Sequence, residues 1–171
     1  SDLAYAVEGG SSRDYRLTKT LMYTDTGAWD ALMGRLARAV TIYLNAQIEA
    51  GVQIVQLFDS WAGCLGVDDY RRYVLPHTRS VIEALRPDVP AIHFAAGNPA
   101  LLPLLGEAFG KKKRDAVVGV DWRIRLDDAW RAVGYEKAIQ GNLDPAALLA
   151  APTEIRRRAK DILRQAGKRP G

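Results

Sequence analysis

Four short apolar runs, near residues 52–58, 91–94, 116–120 and 138–140, constrain this chain more than any other feature. Each is followed by a polar or glycine-containing turn, and the stretches between them carry helical spacing. Val52–Phe58 runs into Asp59-Ser60, Ala91–Phe94 toward Gly97-Asn98, Ala116–Val120 into Asp121-Trp122, and Ala138–Gln140 into Gly141-Asn142. Strands joined through helices need crossovers, and crossovers give parallel pairing. Two architectures satisfy that pattern, an open doubly wound sheet or a closed (β/α)8 barrel. A whole barrel ordinarily takes about 250 residues. A chain of 171 residues with four strand-helix units has too few strands for that.

The helices have their own punctuation. Asp25 is placed to cap a long helix whose apolar stripe is Trp29, Leu32, Met33, Leu36, Val40 and Tyr43, with Gly51 at its end. Asp68 or Asp69 is expected to open a helix reaching Leu85. Further helices are expected over 101–109 and 126–133, and Asp144 should cap a short one with Pro145 in its first turn. Thr153 opens the last, with Ile155, Ala159, Ile162 and Leu163 as its apolar face. Residues 1–24 read as irregular, with a turn at Glu8–Ser12 and a short helix within 13–23.

Composition narrows the class. At 48% hydrophobic and 26% charged the chain has ordinary globular usage, which excludes disorder and low-complexity readings. No apolar run approaches the roughly 20 residues of a membrane span, and no basic-then-apolar leader opens the sequence. The single cysteine, Cys64, cannot close an intrachain disulfide, which fits a reducing compartment. Net charge is +4. The basic runs Lys111–Arg114 and Arg156–Arg158 lack interleaved aromatics, so they read as solvated surface and no nucleic-acid partner is expected.

Parallel α/β folds bind ligands at the carboxyl ends of their strands. Asp59, Ser60, Gly97, Asn98, Asp121, Asn142 and Asp144 all fall there. Each either faces a ligand or caps the helix that follows. Other chemistry is sparse. Cys64 has no Cys-x-x-Cys partner and reads as filler, and His77 as a packing or surface residue. His93 lies inside a strand, and Ala95 stands where a His-x-Cys zinc pair would need its cysteine, so no metal is expected. No phosphate-binding glycine motif is present. Ser60 lacks the Gly-x-Ser-x-Gly elbow that a Ser60–His93–Asp121 triad would call for.

The strand-end motifs carry a resemblance. Tyr5-Ala6-Val7-Glu8-Gly9-Gly10-Ser11-Ser12, Leu57-Phe58-Asp59-Ser60-Trp61-Ala62-Gly63, Val118-Gly119-Val120-Asp121-Trp122 and Gln140-Gly141-Asn142-Leu143-Asp144-Pro145 occur in that order. Together they resemble the uroporphyrinogen decarboxylase family across nearly the whole chain. The likeness implies α/β architecture, with about four parallel units of a (β/α)8 TIM barrel, and an incomplete barrel domain over residues 1–171. It implies a cytoplasmic enzyme of tetrapyrrole biosynthesis that decarboxylates the four acetates of uroporphyrinogen to give coproporphyrinogen. No cofactor is implied, and the assembly implied is a homodimer. By the same likeness the substrate-binding residues are Tyr5, Phe58 and Ser60, joined by Asp121 and Asn142 as residues that shape the pocket.

The family's aspartate and arginines, including an Arg-Gln-Ala-Gly-Arg stretch, match nothing in residues 1–171, and neither does its Asn-Leu-Gly-His-Gly motif. Gln165-Ala166-Gly167 is a chance likeness, and the second strand also departs from the family pattern. No catalytic residue is therefore assigned, and the chain is expected to be inactive by itself. Two other readings stand beside this one: a corrinoid-linked methyltransferase of the same superfamily, and a non-catalytic remnant.

Overall fold

The computed structural model describes residues 2–10, 12–87, 89–110 and 116–169. Four parallel strands form one sheet in the order β1-β2-β3-β4: Val55–Asp59, Ala91–Ala95, Ala116–Gly119 and Ala138–Gln140. Eight α-helices accompany them among the described residues. They are α1 (Asp2–Glu8), α2 (Arg16–Thr24), α3 (Thr26–Glu49), α4 (Val67–Tyr73), α5 (Leu75–Ala84), α6 (Leu102–Glu107), α7 (Leu126–Val133) and α8 (Pro152–Ala166). This is part of a (β/α)8 barrel, and the strands match the four apolar runs, β1 beginning three residues later than the first run.

Register explains what the strands do. Leu57, His93, Val118 and Ile139 lie side by side across the sheet, and so do Phe58, Phe94, Gly119 and Gln140. Successive strand residues face opposite ways, so these rows occupy opposite faces. His93 and Val118 are fully buried, and Leu57 and Ile139 pack into the same core. Phe109, Leu104 and Leu105 join that core from the α6 side, and Leu126, Ala129 and Val133 from α7.

Several local expectations are corrected. Residues 2–8 are helical rather than irregular. The helix expected from Asp68 to Leu85 is two helices. Pro76 lies in the first turn of α5, where its missing N–H does no harm. Asp68 and Asp69 lie in the first turn of α4 rather than capping it. In α3 the buried positions are Trp29, Ala37 and Leu44, while Tyr43 is exposed, because the packed face turns gradually along a helix of 24 residues. In α8 Ile162 and Ala166 pack against the core, but Leu163 and Ala159 are exposed.

The caps at Asp25 and Asp144 form as expected, accepting from the Ala28 and Ala146 N–H groups at 2.9 Å each. Residues 145–149 form a 3-10 turn. Arg157 and Arg158 pair with Glu154, and Arg157 also with Asp161, on the exposed face of α8. Those pairs hold the Glu154 carboxyl down at a pKa of about 2. The Lys111–Arg114 run lies outside the described residues. No helix among the described residues is long and apolar enough to cross a membrane.

Candidate functional site

The loops after β1, β2 and β3 meet at the carboxyl end of the sheet. Gly63 lies so close to the β2 exit that a Cβ there would collide with the Ala96 carbonyl and Gly97. Asp121, buried at the end of β3, accepts from the Gly97 N–H at 2.8 Å and from the Arg123 N–H at 3.0 Å. The Arg123 guanidinium, stacked over Trp122, donates to the same carboxylate at 2.5 Å. A buried carboxylate is costly unless paired, and here three donors meet it. Asn142 ties the next loop in, donating to the carbonyls of Asp121 and Ile124. Asn98 caps the turn after β2 and donates to the Leu65 carbonyl. Asp121, Asn98 and Asn142 thus hold the strand-end loops to one another.

Next to this frame the open face of the sheet is aromatic. Phe58, 65% exposed, meets Phe94 edge-on with ring centroids 6.0 Å apart. Gly119 makes room for that pair, since a Cβ there would stand 3.0 Å from the Phe94 Cβ and ring. Phe94 and Gly119 were not singled out as site residues from the sequence. The signal was strand parity, which puts Phe94 on the face of Phe58 and its neighbour His93 on the other.

Tyr5 comes from α1, a separate part of the chain, yet packs against Trp61 in the turn after β1 (centroids 6.0 Å, edge-on). That turn carries Ser60, which is half-buried. Tyr5, Phe58 and Ser60 therefore gather around the exit of β1. The motif residue Glu8 has a structural task. Its carboxylate accepts from the Thr18 N–H at 2.8 Å and so caps α2, a bond that lowers its pKa.

His93 faces the helices. The Leu105 carbonyl, 3.3 Å from Nδ1, can only accept, so Nδ1 carries the proton. Burial lowers the His93 pKa and keeps the ring neutral, and Nε2 lies 3.4 Å from the Tyr70 hydroxyl. Burial also pushes the Tyr70 pKa well up, assisted by the Asp59 charge. Among the described residues no three His, Cys, Asp or Glu side chains are grouped to hold a metal ion. Cys64 is partly buried, and its thiol pKa is raised by that burial. His77 pairs with Asp30 at 3.2 Å. A cavity of about 190 Å3 lies between β1 and helices α2, α3 and α5, lined by Leu57, Trp29, Met33 and Val40 among others.

A family model described as Uroporphyrinogen decarboxylase (URO-D) matches residues 2–171. The chain belongs to the uroporphyrinogen decarboxylase family. It is 54% identical to a uroporphyrinogen decarboxylase of Roseiflexus sp., 51% to one of Sorangium cellulosum and 47% to one of Carboxydothermus hydrogenoformans. Each alignment covers 98% of this chain but 47–49% of the relative. The chain thus spans about half the length of the curated relatives it matches. In structure it is similar to a methyltransferase from Methanosarcina mazei, with a TM-score of 0.78, 15% identity and coverage of 88% of this chain and 44% of that one. At that identity the likeness speaks to the fold alone.

Proposed function

We propose that residues 1–171 are an incomplete barrel domain of a cytoplasmic uroporphyrinogen decarboxylase, and that the face bearing Phe58 and Phe94 lines its tetrapyrrole pocket. The observation that carries this reading is the pair of exposed Phe58 and half-buried Phe94, set beside the turn that holds Ser60 and the Trp61 on which Tyr5 packs. A porphyrinogen is an apolar macrocycle ringed by carboxylates. It asks for an apolar wall with hydrogen-bond donors at the rim.

In this reading Phe58 and Phe94 pack against pyrrole carbons, and the Ser60 and Tyr5 hydroxyls donate to substrate carboxylates. Asp121 and Asn142 shape the pocket by holding its loops. A proton adds to the pyrrole α-carbon next to the carbon that bears an acetate, which leaves that neighbouring carbon electron-poor. The ring then takes the electron pair of the breaking C–CO2 bond, and carbon dioxide leaves. A second protonation, at the exocyclic carbon, gives a methyl group, while the ring-carbon proton is lost. Each cycle consumes one proton net and converts one acetate to one methyl. The homodimer belongs to the same proposal.

The test is anaerobic incubation of the full-length gene product with uroporphyrinogen, with products separated as their oxidised porphyrins. Coproporphyrinogen should accumulate, and Ser60→Ala should slow it about tenfold through loss of one charge-assisted hydrogen bond. No product above a protein-free control would overturn the reading.

A further inference from the structure

Tyr15 stands out in the backbone. Among the described residues it is the one non-glycine with positive φ (φ 50°, ψ 49°). A bulky side chain takes the left-handed region only against a steric penalty, and such residues persist where surrounding structure holds them. Gly9 and Gly10, which adopt positive φ freely, lie six and five residues earlier. The chain has a tyrosine at 15 instead, and the resulting turn sends its ring into the protein, where it is 4% exposed.

The destination of that ring is specific. Its centroid lies 6.3 Å from that of Tyr5, at 84° between planes, and 6.2 Å from that of Trp61. Tyr5 and Trp61 are themselves in contact, so the three rings close a triangle. The Tyr15 N–H donates to the Ser12 hydroxyl at 3.0 Å, which fixes the turn to the preceding motif. Burial, and after it the neighbouring Tyr5 hydroxyl, raises the Tyr15 pKa to about 12. Tyr15 therefore remains a protonated donor throughout the physiological range.

We propose that Tyr15 is a positioning residue for Tyr5, whose phenol it fixes by ring packing and a hydroxyl contact in the orientation that meets the substrate. Neither the chain likeness nor the strand-end motifs assign Tyr15 a role. The proposal rests on the decarboxylase reading only in taking Tyr5 to face the tetrapyrrole.

A double-mutant cycle in the full-length protein separates positioning from packing. Tyr15→Phe keeps the ring, and Tyr5→Phe keeps the other. Affinity for oxidised uroporphyrin, read from its Soret band, is measured for wild type, both single variants and the double variant. Each single variant should weaken binding about three- to tenfold, the worth of one hydrogen bond, and the double variant should be no weaker than Tyr5→Phe. Wild-type affinity in Tyr15→Phe, or losses that simply multiply, would overturn the proposal. Should Tyr15→Phe fail to fold, alkaline titration of Tyr5→Phe decides. Loss of the partner should move the Tyr15 transition, resolved from those of Tyr23 and Tyr70 by ring-13C tyrosine NMR, downward from about 12, and an unchanged Tyr15 transition contradicts the contact. Binding without turnover would defeat the decarboxylase reading but leave the cycle readable. A wild-type protein that binds no uroporphyrin also defeats that reading, and the same titration then decides the Tyr15–Tyr5 contact.

Discussion

Two adjacent rows of one sheet do opposite work. Leu57, His93, Val118 and Ile139 are sealed into the helix-covered core, while one residue further on Phe58, Phe94, Gly119 and Gln140 line the open face. The first row contains two fully buried side chains, and the second contains a phenylalanine left 65% exposed. Exposed single apolar residues need no explanation. A pair of phenylalanines in edge contact, with a glycine beside them making room, at the end of a sheet where ligands bind, does need one. Stability resides in the first row, and the proposed recognition surface in the second.

The largest expected effect separates the rows directly. Val118→Ala should cost about 2–3 kcal/mol, from lost burial and the cavity left behind. Phe58→Ala should cost less, about 0.5–1.5 kcal/mol, the worth of its one edge contact with Phe94. Urea unfolding of the full-length protein measures both, and equal losses would break the comparison. Uroporphyrin affinity should reverse the order, weakening by roughly tenfold in Phe58→Ala as buried ligand contact is lost and staying near wild type in Val118→Ala.

A smaller effect is expected at Gly119. A valine there must push the Phe94 ring aside, because even a Cβ would stand only 3.0 Å from it. Gly119→Val should lower stability by about 1–2 kcal/mol and weaken porphyrin binding as well. Intact binding would mean that Phe94 does not line the pocket.

The smallest concerns pH. Burial holds the folded His93 pKa below its ordinary 6.5. As pH falls through 6.5 the unfolded chain takes up a proton that the folded protein does not, so stability declines from there down to the folded pKa. His93→Met should flatten the stability profile in that interval. A matching slope in both proteins would remove His93 as its source.

The strands were legible because short apolar runs ending in Asp-Ser, Gly-Asn or Asp-Trp have few alternatives. Asp25 and Asp144 were legible as caps because their chemistry is local. The helix at residues 2–8 was not, since Glu8 and Thr18 meet across ten positions and no periodicity signals that pairing. The split at Val74 was hidden because Pro76 is tolerated in a first turn. Ser60, Phe58 and Tyr5 came from motif likeness. Periodicity alone would have left Tyr5 far from β1, because its contact with Trp61 is made in three dimensions. The loop-tying bonds of Asp121 and Asn142 were equally invisible, since a strand-end carboxylate reads alike whether it faces a ligand or a neighbouring loop.

The most direct measurement is a crystal structure of the full-length protein with coproporphyrinogen bound. The macrocycle should lie against Phe58 and Phe94, with a carboxylate within hydrogen-bond distance of Ser60 Oγ. A ligand seated elsewhere, with the Phe58–Phe94 face untouched, would contradict the division of the sheet into a structural row and a recognition row.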